Sequence, residues 1–349
     1  MEIQKPYLLF LGDAHDPLAA KVAQGIKQWH PEYCAGQFRM EDCEADCGLT
    51  DMDIAQAKEA GVKTLVIGVA NRGGIISGKW IEVLKAALEA GMDLAAGLHN
   101  KLDDIAELKE LADTLGRKLF DVRFPTQSFP VANGLKRSGK RVLPVGTDCS
   151  CGKMYTALAI EKEMLQRDLK ASFRATGQTG ILISGSGVSV DAVVADFISG
   201  AVEQITPDND ADHWDVIEGQ GSLFHPSFAG VSTGLIHGAQ ADALVLCHEP
   251  TRTHMRGLPT YPVPEIQTCM DANLAMARLT NPDAHFVAIS VNTSQLTASE
   301  AEKCLAEIEA EFALPAVDPF RQGVSRIVDA LELLTEATVS APVKELEKI

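Results

Sequence analysis

The sequence predicts an α/β protein built from two parallel-sheet domains, and three observations carry that expectation. Short apolar runs such as YLLFLG (7–12) and VKTLVIGVA (62–70) have the unbroken hydrophobicity of strands buried on both faces. Segments of helical spacing lie between such runs, as parallel connections require. The alternation pauses at a polar, basic connector, VANGLKRSGKR (131–141), then restarts, and the 349 residues exceed what one core usually supports. The boundary is placed there, giving domains 1–135 and 136–349.

In the first domain the strand at 7–12 is followed by helical spacing over DPLAAKVAQGIKQW (16–29), with Pro17 near its start. The strand at 62–70 leads to a turn at Arg72-Gly73-Gly74, a helix over 77–91 and the apolar run MDLAAGLHN (92–100). The segment LGDAHDP (11–17) lacks the G-x-G-x-x-G of dinucleotide binding. The domain therefore reads as a Rossmann-like scaffold without NAD. In the second domain strands are expected at 142–146, 171–175, 214–218, 242–247 and 285–291. Helices are expected at 152–167, 190–202, 229–238, 265–279 and 298–312, with further helix at the C-terminus.

Composition narrows the function classes. The formal net charge is −17, from 31 basic and 48 acidic residues, which disfavours nucleic acid and anionic membrane as partners. No apolar run reaches the roughly 20 residues of a membrane span, and the N-terminus lacks the pattern of a signal peptide, so the cytoplasm is the expected location. Eight cysteines occur. Cys43 and Cys47, with Cys34 nearby, have a spacing that a structural zinc could use, but no second ligand pair accompanies them. Reduced thiols are the plainer reading.

The chemistry concentrates in VLPVGTDCSCGKMYTALAIEKEM (142–164). An apolar strand, a Gly-rich loop and an amphipathic helix follow one another, with Gly146-x5-Gly152-Lys153 between them. Successive backbone N–H groups and the helix N-terminus can then face a phosphate, and Lys153 adds a charge; the alternative is a structural tight turn. The binding core comprises Gly146, Thr147, Asp148, Cys149, Ser150, Cys151, Gly152, Lys153, Met154, Tyr155 and Thr156. This makes the second domain a P-loop NTPase-like, three-layer unit. Met154 stands where nucleotide hydrolases place the hydroxyl that ligates magnesium, and a thioether is a poor ligand for that hard cation. Thr156, two residues on, faces elsewhere on a helix. No metal is expected.

The loop GTDxxxGK, with RATGQTGIL (174–182) and WDVIEGQGSLFHP (214–226) after it, resembles dethiobiotin synthetase and its relatives. A closer resemblance covers essentially the whole chain. GTDCSCGKM, TGQTGI, SVDAVVADFISGAVE (189–203) and EGQGSLFHPSFAGVSTGLIHG (218–238) are similar to a bacterial family long catalogued as a domain of unknown function, with a Rossmann-like N-terminal half and a P-loop C-terminal half. The resemblance implies N-acetylation of D-glutamate with acetyl-CoA as donor. It also implies that methionine after the loop lysine is the family's own form.

Acetyl transfer to an amine needs a base, because an amino-acid ammonium holds its proton at neutral pH, and a donor for the developing oxyanion. Candidates for catalysis are Asp191, Asp196, Glu218 and His225, with Asp148 of the loop a further candidate base. Asp191 is as well explained as a helix cap, and His225 and His237 as packing residues. Two substrate carboxylates suit guanidinium groups, so Arg72, Arg252 and Arg256 are the substrate-binding candidates, against a solvated basic surface. The cleft between the domains is a natural place for substrate, and a symmetric homo-oligomer is the default for a large α/β enzyme. Two rivals stand beside acetyl transfer: an ATP- and magnesium-dependent carboxylate-activating ligase, and a nucleotide- or CoA-sensing module.

Overall fold

A computed structural model describes residues 2–15, 17–69 and 76–339. The Arg72-Gly73-Gly74 turn, and with it the candidate Arg72, lies outside the described residues. The chain divides into two compact units, residues 1–129 with 175–194, and 130–174 with 195–349.

The first unit holds a five-stranded, all-parallel sheet. Its strands are β1 (Tyr7–Gly12), β2 (Cys34–Arg39), β3 (Thr64–Ile67), β4 (Asp93–Ala96) and β5 (Leu119–Asp121), in the order β2-β1-β3-β4-β5. Helices α1 (Lys21–Trp29), α2 (Ile54–Glu59), α3 (Gly78–Glu89) and α4 (Ala106–Leu115) link them. The elements start where the local chemistry sets them. Ser77 caps α3 by accepting from the Trp80 N–H at 3.3 Å, and a reciprocal capping box between Asp53 and Gln56 opens α2. Trp80 is buried edge-on against Phe10 at 5.1 Å, and its indole N–H donates to Asp13 at 2.9 Å. That contact fixes α3 against β1.

The second unit holds a six-stranded, all-parallel sheet. In chain order its strands are β6 (Lys140–Gly146), β7 (Ala171–Arg174), β8 (Trp214–Ile217), β9 (Ala243–His248), β10 (His285–Val291) and β11 (Ala316–Val317). They lie in the order β11-β10-β9-β6-β8-β7. Helices α5 (Lys153–Gln166), α7 (Ile198–Ile205), α8 (Ala229–Ala239), α9 (Ile266–Arg278), α10 (Ala298–Phe312) and α11 (Ser325–Val339) belong to this unit, while α6 (Gln178–Ser184) belongs to the first. β6 sits centrally between β8 and β9, so the loop that follows it emerges at the carboxyl edge. There the strand order reverses, which is where open α/β sheets bind ligands.

Two expectations change. The helix over 16–29 is a short 3₁₀ turn, Pro17–Ala20, followed by α1. The helix over 190–202 is broken: two 3₁₀ turns, Val190–Ala192 and Ala195–Phe197, precede α7. Asp191 and Asp196 are therefore not on one helix. Among the described residues no helix is long and apolar enough to cross a membrane.

Candidate functional site

β6 ends at Gly146 and α5 begins at Lys153, so residues 147–152 must turn the chain within six positions. They do so through left-handed backbone at Ser150, with φ of 53°, and at Gly152, with φ of 111°. Only glycine adopts the second value without strain. Gly146 is required for space: a Cβ there would lie 2.6 Å from the Cys151 sulfur and 3.0 Å from the Lys153 ammonium. The outcome is a concave backbone at the N-terminus of a 14-residue helix, a geometry suited to an anion.

The loop is held shut from beneath and from the side. Lys153 is buried and donates from Nζ to the Asp148 carbonyl at 2.7 Å, with the Cys151 sulfur at 3.6 Å. Asp148 is fully buried, and its carboxylate is well supplied with donors. Oδ1 accepts from the Cys149 N–H at 2.6 Å, and Oδ2 accepts from Arg252 Nη1 at 2.7 Å and from the Arg256 N–H at 2.8 Å. Arg252 also donates to the carbonyls of Cys149 at 2.6 Å and Ser150 at 3.3 Å, and to the Glu249 carboxylate. Its fork thus ties the loop to the segment after β9. The Arg252 guanidinium, expected to meet substrate, is engaged inside the protein. The Arg256 side chain is exposed, and its charge acts on Cys149.

Glu218 directly follows β8, is 3 % exposed, and donates its N–H to the Arg174 carbonyl at 3.0 Å. Gly219 brings this strand end against the loop: a Cβ there would lie 1.8 Å from the Pro144 carbonyl oxygen and 3.0 Å from Lys153 Cδ. Ser222 continues the contact by donating to the Thr147 carbonyl at 3.2 Å. His225 is buried, with Nε2 3.1 Å from the Arg256 carbonyl and Nδ1 accepting from the Ser227 N–H at 3.2 Å. Those partners assign the proton to Nε2 and make His225 a brace between the two segments that flank the loop.

One ring of the site was absent from the sequence reading. His248 closes β9 and lies 3.1 Å, Nδ1 to Oγ1, from Thr147. Burial and the charge of Arg252 pull its pKa down to about 4, so it is neutral at physiological pH. Glu249, which clamps Arg252, was missed too. The signal for both was their place at the carboxyl end of an apolar strand, LVLCHEP (244–250).

Met154 follows the loop lysine and is partly exposed, whereas the Thr156 hydroxyl is buried against Ser290 at 2.8 Å and accepts from the Cys247 thiol at 3.5 Å. Thr156 faces the sheet. Among the described residues, ligand atoms of Asp148, Cys149 and His225 lie within 4.8 Å of one another, the one group of three potential metal ligands. Its electrostatics favour an anion, because Asp148 is already paired with Arg252 and Lys153 and Arg256 act on Cys149. Burial raises the Cys149 thiol, and pushes Cys247 and Cys269 up to about 12. These sulfurs are protonated thiols at neutral pH.

The remaining candidates belong to other segments. Asp191 belongs to the first unit and pairs with Arg123 at 3.0 Å. Asp196 is exposed in the 3₁₀ turn before α7. His237 lies in α8, where its Nε2 is buried without a hydrogen-bond partner among the described residues.

Comparison with known proteins gives this architecture its kinship. Residues 34–125 match the DUF1611_N Rossmann-like domain, and residues 130–328 match the DUF1611_C P-loop domain, both described as domains of unknown function. The chain is 60 % identical over 329 residues to a D-glutamate N-acetyltransferase of Tritonibacter scottomollicae, covering 94 % of this chain and 99 % of that one. It is 50 % identical over 328 residues to a D-glutamate N-acetyltransferase of a Pseudoalteromonas species, with the same coverage. A DUF1611 family protein from Anabaena variabilis superposes with a TM-score of 0.81 at 31 % identity, covering 95 % of this chain and all of that one. The chain therefore belongs to the DUF1611 family, with both of its domains, and is an acyltransferase.

Proposed function

We propose that the protein moves the acetyl group of acetyl-CoA to the amino group of D-glutamate, and that the loop 146–153 grips a phosphate of the coenzyme. The observation that carries the reaction is the near full-length identity to two D-glutamate N-acetyltransferases. The loop's role rests on its chemistry. Its backbone amides, Lys153 and the exposed Arg256 suit a phosphate, and the hydroxyl that would ligate magnesium is replaced by Met154. When bound, acetyl-CoA supplies a thioester already activated for attack, so phosphoryl transfer has no part.

The site residues then divide by task. Asp148, Arg252 and His225 shape the loop, since their polar atoms are engaged by one another's segments. Of the candidate bases, Glu218 is the one we assign to the acceptor's ammonium proton, because it directly follows β8 and the next residue, Gly219, packs on Lys153 of the loop.

Thermal shift with acetyl-CoA, CoA, ATP and Mg-ATP tests the cofactor. Stabilisation by the CoA species and none by Mg-ATP is expected; the reverse pattern supports the ligase reading instead. Thiol release across a panel of D- and L-amino acids tests the acceptor, with D-glutamate expected to lead. A panel in which no amino acid releases thiol would defeat the assignment.

A further inference from the structure

Beside β5 the first unit carries a cavity of about 480 Å³, lined wholly by residues of that unit and within the usual range for small-molecule sites. Phe120, Val122 and Val188 give it a buried apolar lining, and Ser189 joins them. The Ser189 side chain is fully buried, and its hydroxyl has no hydrogen-bond partner among the described residues. A hydroxyl left so is costly unless something supplies the missing bond.

The charged lining has both signs. Lys109 and Asp103 pair with each other at 2.9 Å, and Arg117 is 4.0 Å from Asp93 while donating to the Gly91 carbonyl. Asp113 lies at the exposed rim, where it acts on Lys109. That leaves two lysines and one carboxylate for a ligand. Lys101 rests its ammonium 4.8 Å above the Phe124 ring and its charge acts on Asp121, and Lys118 is exposed; neither lies within ion-pair distance of a carboxylate among the described residues. Asp121 accepts one backbone N–H on each oxygen, from Leu102 at 2.7 Å and Asp103 at 3.1 Å, so each oxygen keeps accepting capacity. Burial raises the Asp121 carboxyl overall, against the lowering by its two backbone N–H donors and the charge of Lys101, and a further cation in the cavity would offset that cost.

A simple dianion would meet Asp121 unfavourably, and a simple amine would meet the lysines. A molecule with two carboxylates and one ammonium satisfies all three groups. We propose that this cavity binds an acidic amino acid, its carboxylates toward Lys101 and Lys118 and its ammonium toward Asp121. The inference rests on the proposed function only for the choice of amino acid.

The test is calorimetric titration of D-glutamate in the presence of CoA, which has no acyl group to give. Wild type is compared with Lys101→Glu, Lys118→Glu and Asp121→Asn, and glutarate serves as the probe without an ammonium. Each lysine variant should bind D-glutamate about tenfold more weakly or worse, as expected for losing a charged hydrogen bond. Glutarate should bind wild type more weakly than D-glutamate does, and Asp121→Asn should shrink that difference. Acetyl-CoA affinity, measured on the same samples, should stay unchanged. Wild-type affinity for D-glutamate in both lysine variants, or no binding of any acidic amino acid to wild type, overturns the site. Binding that depends on these residues in a protein that releases no thiol sinks the acetyl-transfer reading and leaves the pocket standing.

Discussion

Arg252 offers the sharpest structural prediction. Replacing it with methionine keeps most of the side-chain volume and removes the fork that joins Asp148, Glu249 and the carbonyls of Cys149 and Ser150. The Asp148 side chain is 1 % exposed and that of Arg252 16 %, so the pair is largely screened from water. Removing one partner of a buried ion pair costs about 3–5 kcal/mol, because the other charge is left uncompensated. Two peptide N–H donors still reach Asp148, which places the loss near the lower end, about 3 kcal/mol. Arg252→Lys should fall between, since one ammonium cannot meet four acceptors spread over this fork. Urea denaturation of wild type, Arg252→Met, Asp148→Asn and the double variant measures the loss and the coupling together. An Arg252→Met protein within about 0.5 kcal/mol of wild type, or a coupling near zero, would refute the view that this pair holds the loop.

Other outcomes follow from the same geometry. Lys153→Met should weaken acetyl-CoA binding about 10- to 100-fold, the worth of one charge-assisted hydrogen bond, while D-glutamate affinity at saturating CoA stays within twofold. Gly219→Ala forces a methyl group onto the Pro144 carbonyl and should cost about 1–3 kcal/mol or more, read by urea denaturation. The His248 pKa is depressed, from 6.5 to about 4, so its contribution is complete above the unfolded value. It is lost as pH falls from about 6.5 toward 4, because only the unfolded chain takes up a proton there. The loss approaches about 3 kcal/mol, and His248→Asn should flatten the slope of stability against pH in that window. Thr156→Val should lower stability by about 1 kcal/mol through the lost bond to Ser290 and leave cofactor affinity unchanged.

The parts of the fold that were legible are those whose burial is two-sided. β1, β6, β9 and β10 are continuous apolar runs in the sequence and lie almost wholly buried. β2, CAGQFR, was not legible, because an edge strand need not be apolar throughout and Gly36 and Gln37 interrupt it. β5 has three residues and α6 has seven, too short to set a period. The broken helix over 190–202 is a different failure. In SVDAVVADF the valines resist the helix and the aspartates favour local turns, while the alanines gave the stretch a helical look. In the site, the loop was readable from glycine spacing and its lysine. The role of Arg252 was not, because its partner Asp148 is 104 positions away. A guanidinium after a strand end reads the same whether it meets a substrate or its own loop.

The central claim is that main-chain amides and the charges of Lys153 and Arg256 hold the coenzyme at the loop 146–153 without a divalent ion. Its most direct measurement is the equilibrium affinity for acetyl-CoA in excess chelator and again with added magnesium. The account predicts the same dissociation constant in both. Binding that appears only with magnesium would contradict it.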